Sequence, residues 1–561
     1  MSQPLQVRRS ERERAPVRTL LEEHAYHRFQ AAAEAEVQRA LDEAAATIEA
    51  SDSEEEEMAA GDVSESDGDE KTQPDRENIP QWTRQLRDIH VPVCTAEPMA
   101  VLPSHCGPAQ LDFLQCFLDE KLINTFVTNT NLYAISRGAV AWAPVTLPEM
   151  WRYLAIRIRQ GIVVLPELHH YWEAGYQDKY TADLMPRNRF MELHRYFHIE
   201  PPVPRGQRQN VVEKTSTFYH QCQKLFAAYF IPGENFTIDE TMIRFQGRSY
   251  WITIIKAKPE PMGYKIYTVA CDGYLLGFRI FRGKGGYDTA SNVLHHVVMD
   301  LVRPWGGHHR TLYFDNLYTS PALCDDLLLE KIRSAGTCRA SRTGLPSDIR
   351  NLKRQLKKGD KMTWQRGQLG CLLWNDAKPV LFLTTRHRPD RNTPLTPSPG
   401  RPASSRPTVA VDYNYNKGHV DQVDQVRSYH VVQRRGRRSW PALAWWLLDM
   451  CIVNAHKLWD LQYSRSTKIL DFREELLKQI AALHPSPHTP AQPTVPATIP
   501  HGYAGHWPSL QIPPHACACC SHGGEGRHRT SYVCPVCRVY LCVDPCFRVW
   551  HERQGIDNRM H

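Results

Sequence analysis

Apolar residues recur at positions i, i+3, i+4 and i+7 through 110–136 and 147–163, a spacing that predicts amphipathic helices. Residues 186–199 repeat the pattern with arginines on the opposite face. From 236 to 283 the period changes. Short runs such as FTID, KIYTVAC and GFRIFRG, rich in β-branched and aromatic residues and broken by Gly or Asp, predict strands. A helix is expected from Thr289 to Leu301, and TLYFD supplies the next strand. KMTWQRGQLGCLLWNDAKPVLFLTT predicts a small strand meander, with a Pro/Arg-rich loop after it. The block 335–408 therefore reads as a β-rich insertion. Helical spacing returns over 440–483.

Three acids stand at the edges of these apolar runs: Asp239 in FTIDETM, Asp315 in TLYFDNLYTS and Asp421 in KGHVDQVDQ. A strand that ends on a carboxylate carries it to the rim of a sheet, where open α/β sheets gather their ligands. One such acid is usually a turn or cap residue. Three of them, separated by a βββαβ order and an insertion, describe an α/β RNase H-like catalytic core. Mg²⁺ prefers carboxylate and phosphate oxygens. Two such ions about 3.5–4 Å apart form the common clamp for attack on a phosphodiester.

Charge sharpens the expected partner. Residues 1–85 hold 21 acidic and 10 basic residues, a net of −11, so the total of +7 leaves the remainder at +18. A basic body favours a polyanion, nucleic acid first, over a charge that serves solubility alone. Residues 51–70 contain ten acids and no base, too little apolar surface to repay ordering, so disorder is expected there. Ser51, Ser53, Ser64 and Ser66 lie in phosphosite-like acidic contexts. Leu20 to Ile48 reads as a solvated helix or one that folds onto a partner. The chain start lacks the apolar core of a secretory signal. The longest apolar stretch, Trp440 to Val453, is broken by Asp449 and is too short to span a bilayer, so no membrane partner is expected.

Seven of the 16 cysteines fall between Cys517 and Cys546, which favours metal over disulfides in an intracellular chain. The pattern is Cys517-x₂-Cys520, Cys534-x₂-Cys537, Cys542-x₃-Cys546 and then His551. Tetrahedral zinc needs four such ligands. With His528 or His522 as an eighth ligand, two Zn²⁺ fit a cross-braced, RING- or PHD-like module, and Cys519 is an alternative or spare thiol.

The run Gln433 to Trp440 places Arg434, Arg435, Arg437 and Arg438 before a tryptophan. Arginine pairs bidentately with phosphate, and an aromatic ring can stack on an unpaired base. Core packing at a helix start is the competing role for Trp440. Solvated surface or a nuclear-import signal competes for the arginines. Asn316 stands directly beside Asp315.

Several segments together resemble the piggyBac family of DNA transposases and their domesticated relatives: DETMIRFQGRS (239–249), KAKPEPMGYKIY (256–267), LYFDNLYTSPAL (312–323), GTCRASRTGLP (336–346) and DYNYNKGHVDQVDQ (412–425). YLAIRIRQGIVVLP, MPRNRF and the terminal cysteine module fit as well, so the resemblance covers most of the chain from about residue 110. It implies that Asp239, Asp315 and Asp421 bind two catalytic Mg²⁺, with Asp424 as a fourth acid, and that Arg339 and Arg342 contact target DNA. His419 departs from the pattern, which more usually has Gly there, and a side chain at that place is expected to crowd the loop bearing Asp421.

The implied organisation is a disordered acidic region (1–88), a helical dimerisation and DNA-binding domain in two parts (89–235 and 436–483), and a catalytic domain in two parts (236–334 and 409–435) around the insertion (335–408). A Pro-rich linker (484–514) and a zinc-binding domain (515–555) complete it. The implied activity is a nuclear, Mg²⁺-dependent transposase, dimeric on double-stranded DNA, which cuts and joins at TTAA sites through hairpin ends. The zinc module is then expected on the element's terminal repeats, with protein binding as its competitor. A catalytically silent DNA-binding or chromatin protein of the same descent is the alternative. A zinc-dependent ligase scaffold leaves the three acids unexplained.

Overall fold

The computed structural model describes residues 80–94, 96–204, 207–255, 260–282, 293–353, 355–395, 404–487, 508–520, 529–543 and 545–554. The expected disorder at 51–70, its serines, the segment 20–48, His522 and His528 lie outside the described residues. The chain divides into two compact units, one ending at His484 and the other starting at Pro485.

Helices α1 (Gln110–Gln115), α2 (Glu120–Ser136), α3 (Leu147–Ile162), α4 (Lys179–Leu184), α5 (Arg187–Tyr196) and α6 (Ser216–Ala228) precede the main sheet. Side-chain caps start several of them: Asp119 accepts from the Leu122 amide and Thr146 from the Glu149 amide, meeting backbone donors that a helix start leaves open. The sheet comprises β1 (Asn235–Arg244), β2 (Ile252–Ile254), β3 (Met262–Cys271), β4 (Tyr274–Ile280), β5 (Thr311–Phe314), β6 (Arg333–Cys338), β7 (Lys361–Arg366), β8 (Leu369–Asn375) and β9 (Pro379–Thr384). Helix α7 (Val293–Val302) precedes β5, and α8 (Pro321–Leu329) crosses from β5 to β6.

The strand order is β2-β3-β1-β5-β6-β9-β8-β7, with β4 also on β3. Antiparallel β4, β3 and β1 followed by parallel β5 and β6 make the RNase H-like mixed sheet. The strands of the insertion do not stand apart from it. β9 pairs with β6 from Leu381↔Cys338 to Thr384↔Ala335, and β8 and β7 follow, so the meander lengthens the main sheet. The expected division at residue 335 falls inside β6. The Pro/Arg-rich stretch after the meander contains an antiparallel pair, Asn392–Leu395 with Ser404–Pro407.

Structure begins ahead of the expected boundary at residue 89, since Thr83 already pairs with Gln365 on the outer strand β7. After the sheet come α9 (Thr408–Asn416), α10 (His419–Ser428), α11 (Trp440–Gln462) and α12 (Ile469–Leu483). Helix α11 is apolar on every side, the signature of a central helix, and residues from Trp440 to Trp459 are buried around it. Asn454 locks it to the sheet: its side-chain amide donates to the Leu275 carbonyl and its oxygen accepts from the Leu275 amide, both at 2.9 Å.

The second unit is a three-stranded antiparallel sheet, β10 (Ser509–Ala516), β11 (Arg529–Cys534) and β12 (Val539–Tyr540), followed by α13 (Cys546–Arg553). Among the described residues no helix is long and apolar enough to cross a membrane.

Candidate active site and metal centres

Parallel pairing fixes the first two acids. Ile238 is opposite Phe314, and Phe314 is opposite Gly336. Asp239, Asp315 and Thr337 are the next residues along the chain, so they form a row across neighbouring strands about 4.8 Å apart. Asp239 lies inside β1, which runs on to Arg244, at the point where its parallel partner stops. Asp315 opens the turn after β5: its Oδ1 accepts from the Leu317 amide at 2.8 Å and its carbonyl from Thr319 Oγ1 at 2.7 Å.

Asp421 is not carried by a strand. It sits in the first turn of α10, where the helix dipole favours a negative charge. That corrects the reading of all three acids as strand ends. Helix α9 brings Tyr413, which is buried, to Thr337. Burial first, and then the charges of Asp315, Asp239 and Asp421 together, push the Tyr413 hydroxyl up to about 12, while Thr337 bonds to it.

Asp424 lies one turn beyond Asp421. Its Oδ2 accepts from Thr241 Oγ1 at 2.9 Å, and Oδ1 is 3.5 Å from Arg427 Nε. Thr241 in turn meets Thr268, whose hydroxyl donates to the Asp239 carbonyl at 3.1 Å. Burial raises the Asp424 carboxyl above its ordinary value despite Arg427 and Thr241. Both of its oxygens are engaged by protein groups, so it braces α10 on β1.

His419 does not crowd a loop. It begins α10, and its Nδ1 accepts from the Asp272 amide at 3.1 Å, on the Asp272-Gly273 turn between β3 and β4. Both turn residues have positive φ, 49° and 79°, the requirement of a tight two-residue hairpin. The imidazole thus ties the helix that carries Asp421 to the sheet. Burial draws its pKa down.

Beside Asp315, Arg339 Nε donates to Asn316 Oδ1 at 3.0 Å, and Arg342 donates to the carbonyls of Asn316 and Leu317. The structure thus brings Asn316, Arg339 and Arg342 into one patch at the edge of the acid row.

The profile of the family described as Transposase IS4 matches residues 110–456, more than half of the chain. The chain belongs to the piggyBac family of IS4-like DDE transposases. It is 25% identical over 463 residues to human PiggyBac transposable element-derived protein 3, covering 77% of this chain and 74% of that protein. Human PiggyBac transposable element-derived protein 5 is 23% identical over 436 residues, covering 72% and 81%. The cryo-EM structure of a piggyBac transposase synaptic complex with hairpin DNA superposes with a TM-score of 0.65 at 20% identity, over 80% of this chain and 98% of that one.

In this piggyBac-family chain the arginine run divides by role. Arg434 donates to the Gln160 carbonyl at 2.5 Å and to the Tyr171 hydroxyl at 2.6 Å, and Arg438 to the His194 carbonyl at 2.6 Å. Arg435 and Arg437 are exposed. All four line a cleft of about 1500 Å³ with Arg157, Arg189 and Arg195. Trp440 is 3% exposed and packs between Phe197 and His198, at 5.8 and 5.4 Å. It has no open face for a base, so its expected stacking role is corrected to core packing.

The cysteine module of this family member sorts its ligands alternately. Cys517, Cys520, Cys542 and Cys546 gather within 4.8 Å of one another, and Cys534, Cys537 and His551 form a second group. First and third pairs share one site and the second pair the other, which is cross-bracing. Cys520 and Cys542 sulfurs are 3.8 Å apart, and Cys537 Sγ is 3.5 Å from His551 Nε2. Four ligands around zinc at about 2.0–2.3 Å require such separations. His551 Nδ1 donates to the Phe547 carbonyl at 2.6 Å, which turns the Nε2 lone pair towards the sulfurs. Cys542 and Cys537 amides donate to Cys517 and Cys534 sulfurs at 3.4 Å, and, against burial, backbone bonds of this kind draw the Cys517 thiol down to about 6. Cys519 belongs to neither group.

A third group, His169, His170 and Glu173, does not fit a metal as well. His170 Nδ1 accepts from the Glu167 amide, which leaves the proton on the Nε2 that faces Glu173. Residues that sequence reasoning missed are Tyr413, Thr337, Thr241 and Thr268. Strand register assembles the three threonines, and the packing of α9 adds Tyr413.

Proposed function

We propose that this piggyBac-family chain is a DNA transposase that cuts and joins double-stranded DNA at TTAA sites. The reading rests on one observation: Asp239 and Asp315 follow opposed residues of one parallel pair, and α10, which carries Asp421 in its first turn, packs on β1 and β3. An all-oxygen donor set of three carboxylates suits Mg²⁺.

Bound there, two Mg²⁺ would supply the charge that activates water or a 3′-hydroxyl and stabilises the leaving oxygen. Asp239, Asp315 and Asp421 would hold the ions. Asp424 and His419 would keep α10 in place, and the patch of Asn316, Arg339 and Arg342 would grip phosphate beside the reacting strand. In this reading, hydrolysis frees a 3′-hydroxyl at the element end, which attacks the opposite strand to form a hairpin. Once the hairpin is opened, the end joins a TTAA target. The zinc module, with two Zn²⁺, would bind the terminal repeats, and His528 would complete the second site. A nuclear location and a homodimer on DNA belong to the same proposal. Support comes from the solved piggyBac transposase of like fold, which is a synaptic complex with hairpin DNA.

A second reading is a silent DNA-binding or chromatin protein of the same descent. It is favoured by the names of the human relatives, which are element-derived proteins. A cleavage assay separates the two. End-labelled DNA from the flanks of the chain's own gene, incubated with Mg²⁺, should give nicks and hairpins with the wild type and none with Asp315→Ala, which should still bind. Binding without cleavage on DNA with intact ends would favour the silent protein, and cleavage by Asp315→Ala would remove the acid from the mechanism.

A further inference from the structure

The segment before the helical domain packs on the outer strand β7 and on the loop that follows β6. Trp82 Nε1 donates to the Gly344 carbonyl at 2.8 Å, and Arg84 pairs with Asp348 at 2.7 Å. Arg84 also lies over the Trp364 ring, and Arg366 over Trp82, at 5.0 and 5.2 Å. Thr83 exchanges backbone hydrogen bonds with Gln365, whose side chain accepts from the Arg87 amide at 2.7 Å. Asp88 pairs with Arg388 at 2.9 Å. These contacts join residues more than 250 positions apart, so local propensity does not explain them.

One of them, the Trp82 bond, ends on the loop from Arg339 to Gly344, and Arg84 pairs just beyond it at Asp348. On its inner side that loop presents Arg339 and Arg342 to Asn316, the neighbour of Asp315. On its outer side Arg350 holds the carbonyls of Ala340 and Ser341, at 3.2 and 3.3 Å, and Trp82 holds Gly344. Gly344 has a φ of +80°, a turn that other residues adopt only with strain, so its carbonyl direction is set by that conformation.

We propose that Trp82 and Arg84 are positioning residues: the segment from Trp82 to Asp88 is a strut that fixes the Arg339–Gly344 loop against Asn316. The inference rests on the transposase reading for its consequence in catalysis, but the strut itself does not. An exposed ion pair such as Arg84 with Asp348 contributes little alone. The indole bond, the backbone pairing and the two stacked guanidinium groups act together, and they place a phosphate grip to the precision that strand transfer requires.

The test uses the full chain with Trp82→Ala, Arg84→Ala and Arg84→Asp. Amide exchange at 339–344 should quicken by about tenfold or more, as expected for a locally loosened segment. Joining of a pre-cut end to target DNA should fall at least about fivefold more than nicking. Adding Asp348→Arg to Arg84→Asp should restore part of the protection and part of the joining. Unchanged exchange, or nicking and joining lost in parallel with the melting temperature, would overturn the strut. Quickened exchange in a chain whose wild type cuts no DNA would count against the transposase reading and leave the strut standing.

Discussion

Asp239 and Asp315 each follow a residue of one parallel pair, Ile238 opposite Phe314, so the register of β1 and β5 sets the two acids in neighbouring places. Asp421 and Asp424, one turn apart on α10, differ in their engagement, and that difference is testable. Asp421→Asn should reduce DNA cleavage by about a thousandfold, since a charge that would hold the metals is lost. Asp424→Asn should cost only about 10–100-fold, because it supports α10 through Thr241. Single-turnover nicking measures both, and equal losses would place Asp424 among the ligands.

The double change Arg339→Ala with Arg342→Ala removes the grip on Asn316 and exposes its carbonyl. Joining to target should fall by about tenfold or more, with excision affected less. Separate assays of the two steps check this, and equal loss would show that the patch serves both.

Zinc removal should act on the second unit alone. Metal analysis is expected to find about two zincs per chain, and His551→Ala about one, because the group of four cysteines remains. Chelation should then unfold the module, read as loss of its protected amides, while the sheet bearing Asp239 keeps its own.

Much of this arrangement is legible along the chain. FTID and TLYFD are short and β-branched or aromatic, and strands form there. HVDQVDQV places Val420, Val423 and Val426 at helical spacing, but the run is short and its acid resembles the other two, so it reads as a strand end where α10 forms. Trp440 follows four arginines, yet it also opens the apolar run of α11, and the core takes it. Order at 80–88 depends on Gln365, Trp364 and Gly344, distant partners that no local pattern announces. The same holds for β9 on β6: a meander shows its own strands, not the edge it will join.

Asp412 provides a pH dependence. His387 and Tyr313 bond to it at 2.9 and 2.6 Å, with Arg386 nearby. Burial raises its carboxyl, but those bonds and charges outweigh burial and hold it below the ordinary range. As pH falls the unfolded chain takes the proton first, near its usual value of about 3.9. The stabilisation is therefore complete above about pH 4 and disappears as pH falls through the folded value. Asp412→Asn should lower the melting temperature at pH 7 and flatten its decline below about pH 4. An unchanged acid limb would show that other carboxylates set it.

Asp449 and Arg473 form an ion pair at 2.9 Å in which neither side chain is exposed. Burial pushes the Asp449 carboxyl up, and Arg473 opposes that. Asp449 also accepts from the Val432 amide at 3.1 Å, and Arg157 donates to the Val432 carbonyl at 3.1 Å. The pair thus secures the segment that leads into Arg434 and the arginine cleft. Removing one partner leaves a buried charge without compensation, so Arg473→Met should cost about 3–5 kcal/mol. Replacing both, Asp449→Leu with Arg473→Met, should cost less than the single change, because no unpaired charge remains. Thermal melting of the two variants decides the stability question. If the double variant melts near the wild type yet binds DNA more weakly, the pair's main role is to hold Val432 and the cleft wall. If it melts as low as Arg473→Met, lost packing rather than charge governs the site.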